Sequence, residues 1–183
     1  MPRLPYPDPA SFPDDVAAFL GQLPPDPMVK MMSLSAGTVK PFVEFARTLF
    51  TALELPDRAR ELVILTVAAH TDCAFEAAQH DPMAAAAGVD ERTRQLVRER
   101  QIDSPDLSEA DRALMRYTAE VVKQPRVSDE VFTEARRFLS DRELVEVLQV
   151  AGYYWSFGRI ATILDVELTK VYNDEPVLRT EDA

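Results

Sequence analysis

Glu61, Cys73, Glu76 and His80 bring two carboxyls, a thiol and an imidazole into one short stretch of the chain. Cys73 is the single cysteine, and His80 is one of two histidines. Thr71 and Asp72 are helix-start residue types. A helix over about 72–87 would therefore place Cys73 in its first turn, where free backbone N–H groups and the positive dipole end favour a thiolate. Glu76 follows three residues later and His80 seven, so a period of about 3.6 residues aligns the three side chains on one stripe. A carboxylate one turn from an imidazole can hydrogen-bond it, holding the ring and raising its basicity. Glu61 joins them only if the preceding helix, over about 56–69, packs back against the next. Such a kit suits proton transfer. The plainer alternative makes Cys73 a small core residue, His80 a link within a helix pair and Glu76 a surface group.

A second candidate group lies late in the chain, where Tyr153, Tyr154, Trp155 and Phe157 precede Arg159. Helical geometry spreads these around the axis, so some face a core or subunit contact and others can reach a pocket wall. Arg159 beside an apolar pocket could clamp a substrate carboxylate in a bidentate pair. Phe75 and Trp155 would supply apolar walls. Glu76 and His80, with Glu61 and His70, carry enough donors for a divalent ion, but their spacing is not a standard ligand pair, and no metal is expected. His70 ends a helix, where an imidazolium favours the C-terminal dipole.

The elements that must position these residues read as helices. Pro56 opens a helix whose Leu62, Val63, Ile64, Leu65 and Val67 are apolar on nearly every side, which marks it as central. Glu61 within it must find a partner or take up a proton. Gly88 is a natural left-handed stop for the next helix. Asp90 starts a short amphipathic helix, Ser108 and Asp111 resemble a capping box, and Ser128 opens another helix. Ser140 with Glu143 forms a proper capping box heading a long helix to about Val171. Before these, Pro41 starts a run carrying Phe42, Phe45, Leu49 and Leu53. No strand alternation appears. The fold class is all-α, a single-domain bundle of about six to eight helices.

The string Glu61-Leu-Val-Ile-Leu-Thr-Val-Ala-Ala-His70-Thr-Asp-Cys73-Ala-Phe-Glu76-Ala-Ala-Gln-His80, followed by Ala84 to Gly88, resembles the core of the carboxymuconolactone decarboxylase family, which includes the alkylhydroperoxidase D proteins. The peroxidase branch has a glutamate, eleven residues, then Cys-x-x-Cys-x-x-x-His. Glu61, Cys73 and His80 match it, whereas Glu76 stands where the second cysteine belongs. The resemblance therefore points to the branch without the redox pair. The opening Arg3-Leu-Pro-Tyr-Pro-Asp and the segment Gly152 to Arg159 also look like this group. The resemblance implies the alkylhydroperoxidase D-like helical fold and a homo-oligomer, whether homodimer, trimer or hexamer.

Composition bounds the rest. The 183 residues suit one domain, and 46% hydrophobic with 28% charged residues is an ordinary globular balance. A formal charge of −11 with scattered Lys and Arg argues against nucleic acid and anionic membrane as partners. One cysteine makes no intramolecular disulfide, and no segment reads as a leader or a span, so the expected address is cytoplasmic. Eight of the 14 prolines precede Met28, so residues 1–27 read as an extended arm packed on the body or a neighbour, with one short helix over 13–21. Residues 28–173 form the helical domain, and 174–183 an acidic tail. The leading functional expectation is an acid–base enzyme, decarboxylase-like, acting on a small carboxylated, lactone or enone substrate. His80 is its proton carrier, Glu76 or Glu61 orients it, Cys73 lines the pocket, and no cofactor is demanded. The alternatives are a peroxidase using Cys73 with an external thiol, and a non-catalytic oligomeric binding protein.

Overall fold

In the computed structural model, which describes residues 1–168, the chain is helical throughout, without a strand among the described residues. The arm holds a 3₁₀ turn at Pro9–Ser11, α1 (Asp14–Leu20) and α2 (Pro27–Met32). The body follows with α3 (Ala36–Thr51), α4 (Asp57–Thr71), α5 (Ala74–Ala86), α6 (Glu91–Arg98), α7 (Glu109–Lys123), α8 (Asp129–Ala135) and α9 (Asp141–Ile163). These are nine α-helices among the described residues, against the six to eight expected, and the short α2 is the one the proline count hid. Asp26 caps α2 by accepting from the backbone N–H of Met28 and Val29, with Pro27 at the first helical position. Pro41 does not start α3 but lies inside it, and α9 ends at Ile163 rather than near 171. The acidic tail expected over 174–183 lies outside the described residues.

Helix α4 is central because every residue from Arg60 to Ala68 is buried. It packs on α5, α6, α7 and α9. Helices α4, α7 and α9 start at the same end of the bundle. Arg58 pairs bidentately with Asp111 there, at 2.7 and 3.0 Å, and the Glu146 carboxylate accepts from the backbone N–H of Glu54 and Leu55, at 3.1 and 2.7 Å. Burial pushes the Glu146 carboxyl up, but those two N–H groups and Arg142 more than offset this and hold it below the usual range. Asp72 adopts the left-handed conformation, φ 54°, and turns α5 back antiparallel to α4. The capping box of Ser140 and Glu143 closes in both directions, whereas Asp111 gives its carboxylate to Arg58 instead of completing one with Ser108.

The apolar residues form two clusters. The larger joins α4, α6, α7 and α9 around Leu62, Ile64, Leu96, Met115 and Val147. The smaller lies under the arm, where Val16, Met28, Met31, Met32 and Val39 cover Cys73, Phe75 and Ala161. Fully burying a methionine is worth roughly 1.5–3 kcal/mol, so Met28 and Met31, at 0% and 1% exposure, make this arm part of the fold. Its tip is fastened as well. The Arg3 backbone N–H donates to Leu164 at 2.9 Å, the Arg3 guanidinium pairs with Asp165 at 3.0 Å, and the Tyr6 hydroxyl donates to Glu167 at 3.2 Å. None of the described helices is long and apolar enough to cross a membrane.

Candidate active site

Packing α5 back on α4 brings Glu61 to His80, the condition the spacing set. The Glu61 side chain is 1% exposed, and its Oε2 lies 2.9 Å from His80 Nδ1. Its Oε1 accepts from Arg60 Nε at 3.3 Å and Nη2 at 3.2 Å. Arg60 Nη1 donates to Asp57 at 2.7 Å, and the guanidinium sits 4.2 Å from the Phe50 ring centroid. A guanidinium does not surrender its proton, so the carboxylate it holds is an acceptor on both oxygens. The Nδ1–H of His80 therefore donates to Glu61, and Nε2 is the ring nitrogen left outside that contact. Tyr154 meets the imidazole edge-on, with centroids 4.8 Å apart and planes at 89°, and Phe50 stacks at 6.4 Å. The ring is thus fixed by one ionic hydrogen bond and two aromatic contacts.

The stripe on α5 faces α9. Cys73 and Glu76 both converge on Gly158, where a Cβ would lie 3.1 Å from Glu76 Oε1 and 3.2 Å from Cys73 Sγ. Only a residue without a side chain admits both groups at this crossing. Glu76 does not reach the surface as the plain alternative supposes, since it is 0% exposed and neither of its oxygens makes a hydrogen bond. Burial pushes its carboxyl well above the usual range, and the Gly158 backbone offsets little of this. The protonated form of Glu76 is therefore favoured far more than in a free carboxyl, and the expected Glu76–His80 bond is made by Glu61 instead.

Cys73 is the N-cap of α5 rather than a member of its first turn. Burial pushes its thiol up and Glu76 adds to this, against the pull of the Glu76 backbone N–H, the Thr162 hydroxyl and the Phe75 backbone N–H. The expected thiolate gives way to a thiol because desolvation outweighs the helix terminus here. Phe75 packs on Phe157 at 6.1 Å in the cluster under the arm, beside Cys73. Trp155 and Arg159 lie on the outward face of α9, with the Arg159 guanidinium 5.7 Å from the Trp155 ring centroid. They are one and two residues past Tyr154 and Phe157, and that rotation carries them away from His80. His70 also departs from expectation. Both its ring nitrogens are buried without a hydrogen bond, and burial, reinforced by Lys123 and Arg100, pushes it down to about 4, so it is neutral rather than a charged cap. Among the described residues no cluster of three or more His, Cys, Asp or Glu side chains is placed to hold a metal.

Arg60, Tyr154 and Phe50 belong to the site, yet spacing did not select them. Arg60 directly precedes Glu61, and neighbours on a helix ordinarily face apart. Its long side chain bends back, and the one available signal was an arginine in an otherwise apolar helix beside a carboxylate that needed a partner.

The site is thus a buried Glu–His pair held between two antiparallel helices of an all-α bundle. Residues 37–120, which contain Glu61, Cys73, Glu76 and His80, match the model of the Carboxymuconolactone decarboxylase family, and the chain has one cysteine and no Cys-x-x-Cys pair. The bundle is similar to the alkylhydroperoxidase AhpD core of a peroxidase-related protein from Ralstonia eutropha, with a TM-score of 0.77 at 16% identity over 92% of each chain. It also resembles a protein of unknown function from Agrobacterium tumefaciens, with a TM-score of 0.69 at 23% identity over 75% of this chain and 94% of that one. The debrominase Bmp8, solved with 2,3,4-tribromopyrrole, matches with a TM-score of 0.69 at 15% identity over 86% of each chain. No curated protein sequence matches the chain significantly.

Proposed function

We propose that the Glu61–His80 pair is the proton-transfer centre of a carboxymuconolactone decarboxylase-like enzyme acting on a small carboxylated, lactone or enone substrate. The observation that carries this reading is the 2.9 Å contact between Glu61 Oε2 and His80 Nδ1. As base, Nε2 takes a proton from a carbon next to a carbonyl, and Glu61 stabilises the imidazolium so formed. In a decarboxylation the bond to the carboxylate carbon breaks and its electron pair moves into the lactone or enone carbonyl. Carbon dioxide departs, and the carbon left behind takes its proton from His80, which enters this reaction already protonated from solvent so that one proton is delivered for each carboxylate lost. Arg60 holds the Glu61 carboxyl in place through the cycle, Glu76 offers a second carboxyl whose protonated form burial favours, one turn before His80 on the stripe, and Cys73 and Phe75 shape the apolar floor. The cytoplasm, which keeps thiols reduced, suits the lone Cys73.

The AhpD-core likeness supports a thiol peroxidase as a second reading, with Cys73 resolved by an external thiol. A thiol that is 1% exposed, pushed up by burial and paired with Glu76 in place of a second cysteine weighs against it. One panel separates the two. Carboxymuconolactone and related enone acids are offered to the wild type, His80→Asn and Cys73→Ser, with carbon dioxide release and proton exchange at carbon as readouts, and alkyl hydroperoxide with dithiothreitol is offered in parallel. Turnover of the acids that His80→Asn abolishes and Cys73→Ser keeps is the expected result. Peroxide turnover abolished by Cys73→Ser, with no acid turned over, refutes the first reading in favour of the second.

A further inference from the structure

His80 is 6% exposed, Glu61 and Cys73 are 1% and Glu76 is 0%, so a substrate reaches this stripe only when one wall of the site moves. Helices α4, α5 and α9 are the fixed walls, because they pack on one another and carry the Glu61–His80 pair among them. The remaining wall is the N-terminal part of the chain. Helix α3 packs on α1 and α2, and residues 1–51 thereby form a unit that lies across the stripe. Met28, Met31 and Val39 sit over Cys73 and Phe75. Phe42 and Phe45 reach the Tyr153 ring, with centroids 4.5 and 5.8 Å away, and Phe50 reaches His80.

The two ends of this unit are tied differently. At the α4 end, Arg142 donates to the Ala52 carbonyl at 3.0 Å, and the buried Glu146 carboxylate accepts from Glu54 and Leu55 at 3.1 and 2.7 Å, which fixes the linker to α9. At the other end, Arg3 and Asp165 pair with side chains 65% and 56% exposed, and the bond from Tyr6 to Glu167 is exposed as well. Pairs in water contribute little. Between the ends the unit rests on apolar side chains, whose attraction is non-directional, and the roof over Cys73 is rich in methionine, a side chain that re-packs readily. A clamped linker and an exposed tip are the parts of a hinge and a latch. Glu76 adds a reason to open. With neither oxygen hydrogen-bonded, the closed unit seals in a polar group whose cost a ligand's hydrogen bond relieves.

We propose that residues 1–51 are a hinged cover that swings about the linker at 52–55 and admits substrate over Cys73 and Phe75 toward His80. The swing is largest at the arm and smallest at Phe50, beside the hinge, so entry is from the Cys73 end of the stripe and Glu76 is the first carboxyl met. Such an opening bares one side of the site and leaves α4 to α9 packed. The motion serves the Glu61–His80 centre proposed above, but Cys73 reports it without any substrate, so a failed chemistry and a failed cover are told apart.

Cys73 is the single thiol, and its rate of labelling by iodoacetamide in native buffer counts the openings. Arg3→Ala combined with Tyr6→Phe unfastens the latch and should raise the rate roughly 2–10-fold. Met31→Ala, which thins the roof itself, should raise it further. Val97→Ala, buried in the other cluster on α6, should lower the urea midpoint yet leave the rate unchanged. A rate that follows the urea midpoint through all these variants shows that Cys73 is reached only by unfolding, and overturns the cover. A rate that neither arm variant raises overturns it too. So does a rise with the latch change alone, which would place the opening at the end of α9.

Discussion

Glu61 and Glu76 are both buried carboxyls facing helix partners, yet one is surrounded by charge and the other by nothing. Glu61 has a guanidinium on one oxygen and an imidazole on the other, while Glu76 has two oxygens without a hydrogen bond and a glycine backbone against its side chain. The same functional group thus has two cationic or imidazole partners on α4's side of the pair and none beside Gly158, where burial favours its protonated form. What separates them is a single residue, Arg60, which a helix-period argument has no reason to select.

Neutralising each carboxyl in turn is the sharpest way to break that contrast. His80→Ala should lower turnover of the responsive acid by roughly 10²–10⁴-fold, the usual weight of a positioned general acid–base group. Glu61→Gln should do nearly as much damage. It should also lower stability in urea by about 2–4 kcal/mol, because Arg60 is left buried with only Asp57. Unchanged stability in that variant would mean the Arg60–Glu61 pair does not hold the site together.

Glu76→Gln should behave in the opposite way, with stability near that of the wild type at about pH 5. Below the ordinary carboxyl value of 4.5, both folded and unfolded wild type carry the Glu76 proton. As pH rises above it, the unfolded chain ionises while the folded one does not, so the wild type loses stability and Glu76→Gln does not. Urea midpoints of the two proteins should diverge in favour of the variant as pH rises from 5. Parallel curves would show that Glu76 is ionised in the fold.

Gly158→Ala sharpens the same contrast at smaller scale. The new methyl meets Glu76 and Cys73 at 3.1–3.2 Å, so α5 and α9 must separate, at a cost of roughly 1–3 kcal/mol, and a melt that matches the wild type would refute the close crossing. The smallest effect concerns His70. Its folded value of about 4 lies below the ordinary 6.5, so the stability it contributes is complete above pH 6.5 and is lost as pH falls toward 4. His70→Gln should flatten that limb of a urea-midpoint series, and an unaltered limb would indicate that the imidazole is charged in the fold.

How much of this was legible depended on whether the signal was local. The capping serines at 108, 128 and 140 and the all-round apolar character of α4 were read correctly, because they depend on a few neighbouring residues. The stripe of Cys73, Glu76 and His80 was legible for the same reason, and it does face one helix. Which helix it faces, and which face of α9 turns inward, is a matter of packing. Tyr154 and Trp155 differ by about 100° of rotation, and no periodicity said which of the two would meet His80. The thiol was misjudged because a helix terminus is visible in sequence, whereas its burial is supplied by Met28 and Met31 of the arm and Val39 of α3, all dozens of residues away.

The Glu146 carboxylate, gripped by the N–H groups of Glu54 and Leu55, acts as a stop that fixes how far α4 slides along α9. Helical surfaces repeat every turn, and apolar packing alone could accept α4 displaced by one pitch, about 5.4 Å. Such a slip would carry Glu61 past Tyr154 and out of reach of His80 while leaving the core apolar. The polar stop makes the two registers unequal, since only one of them feeds both oxygens. The alignment of the Glu61–His80 pair is thus set about six to eight residues upstream, before α4 and along α9, by a carboxylate that touches neither member of the pair.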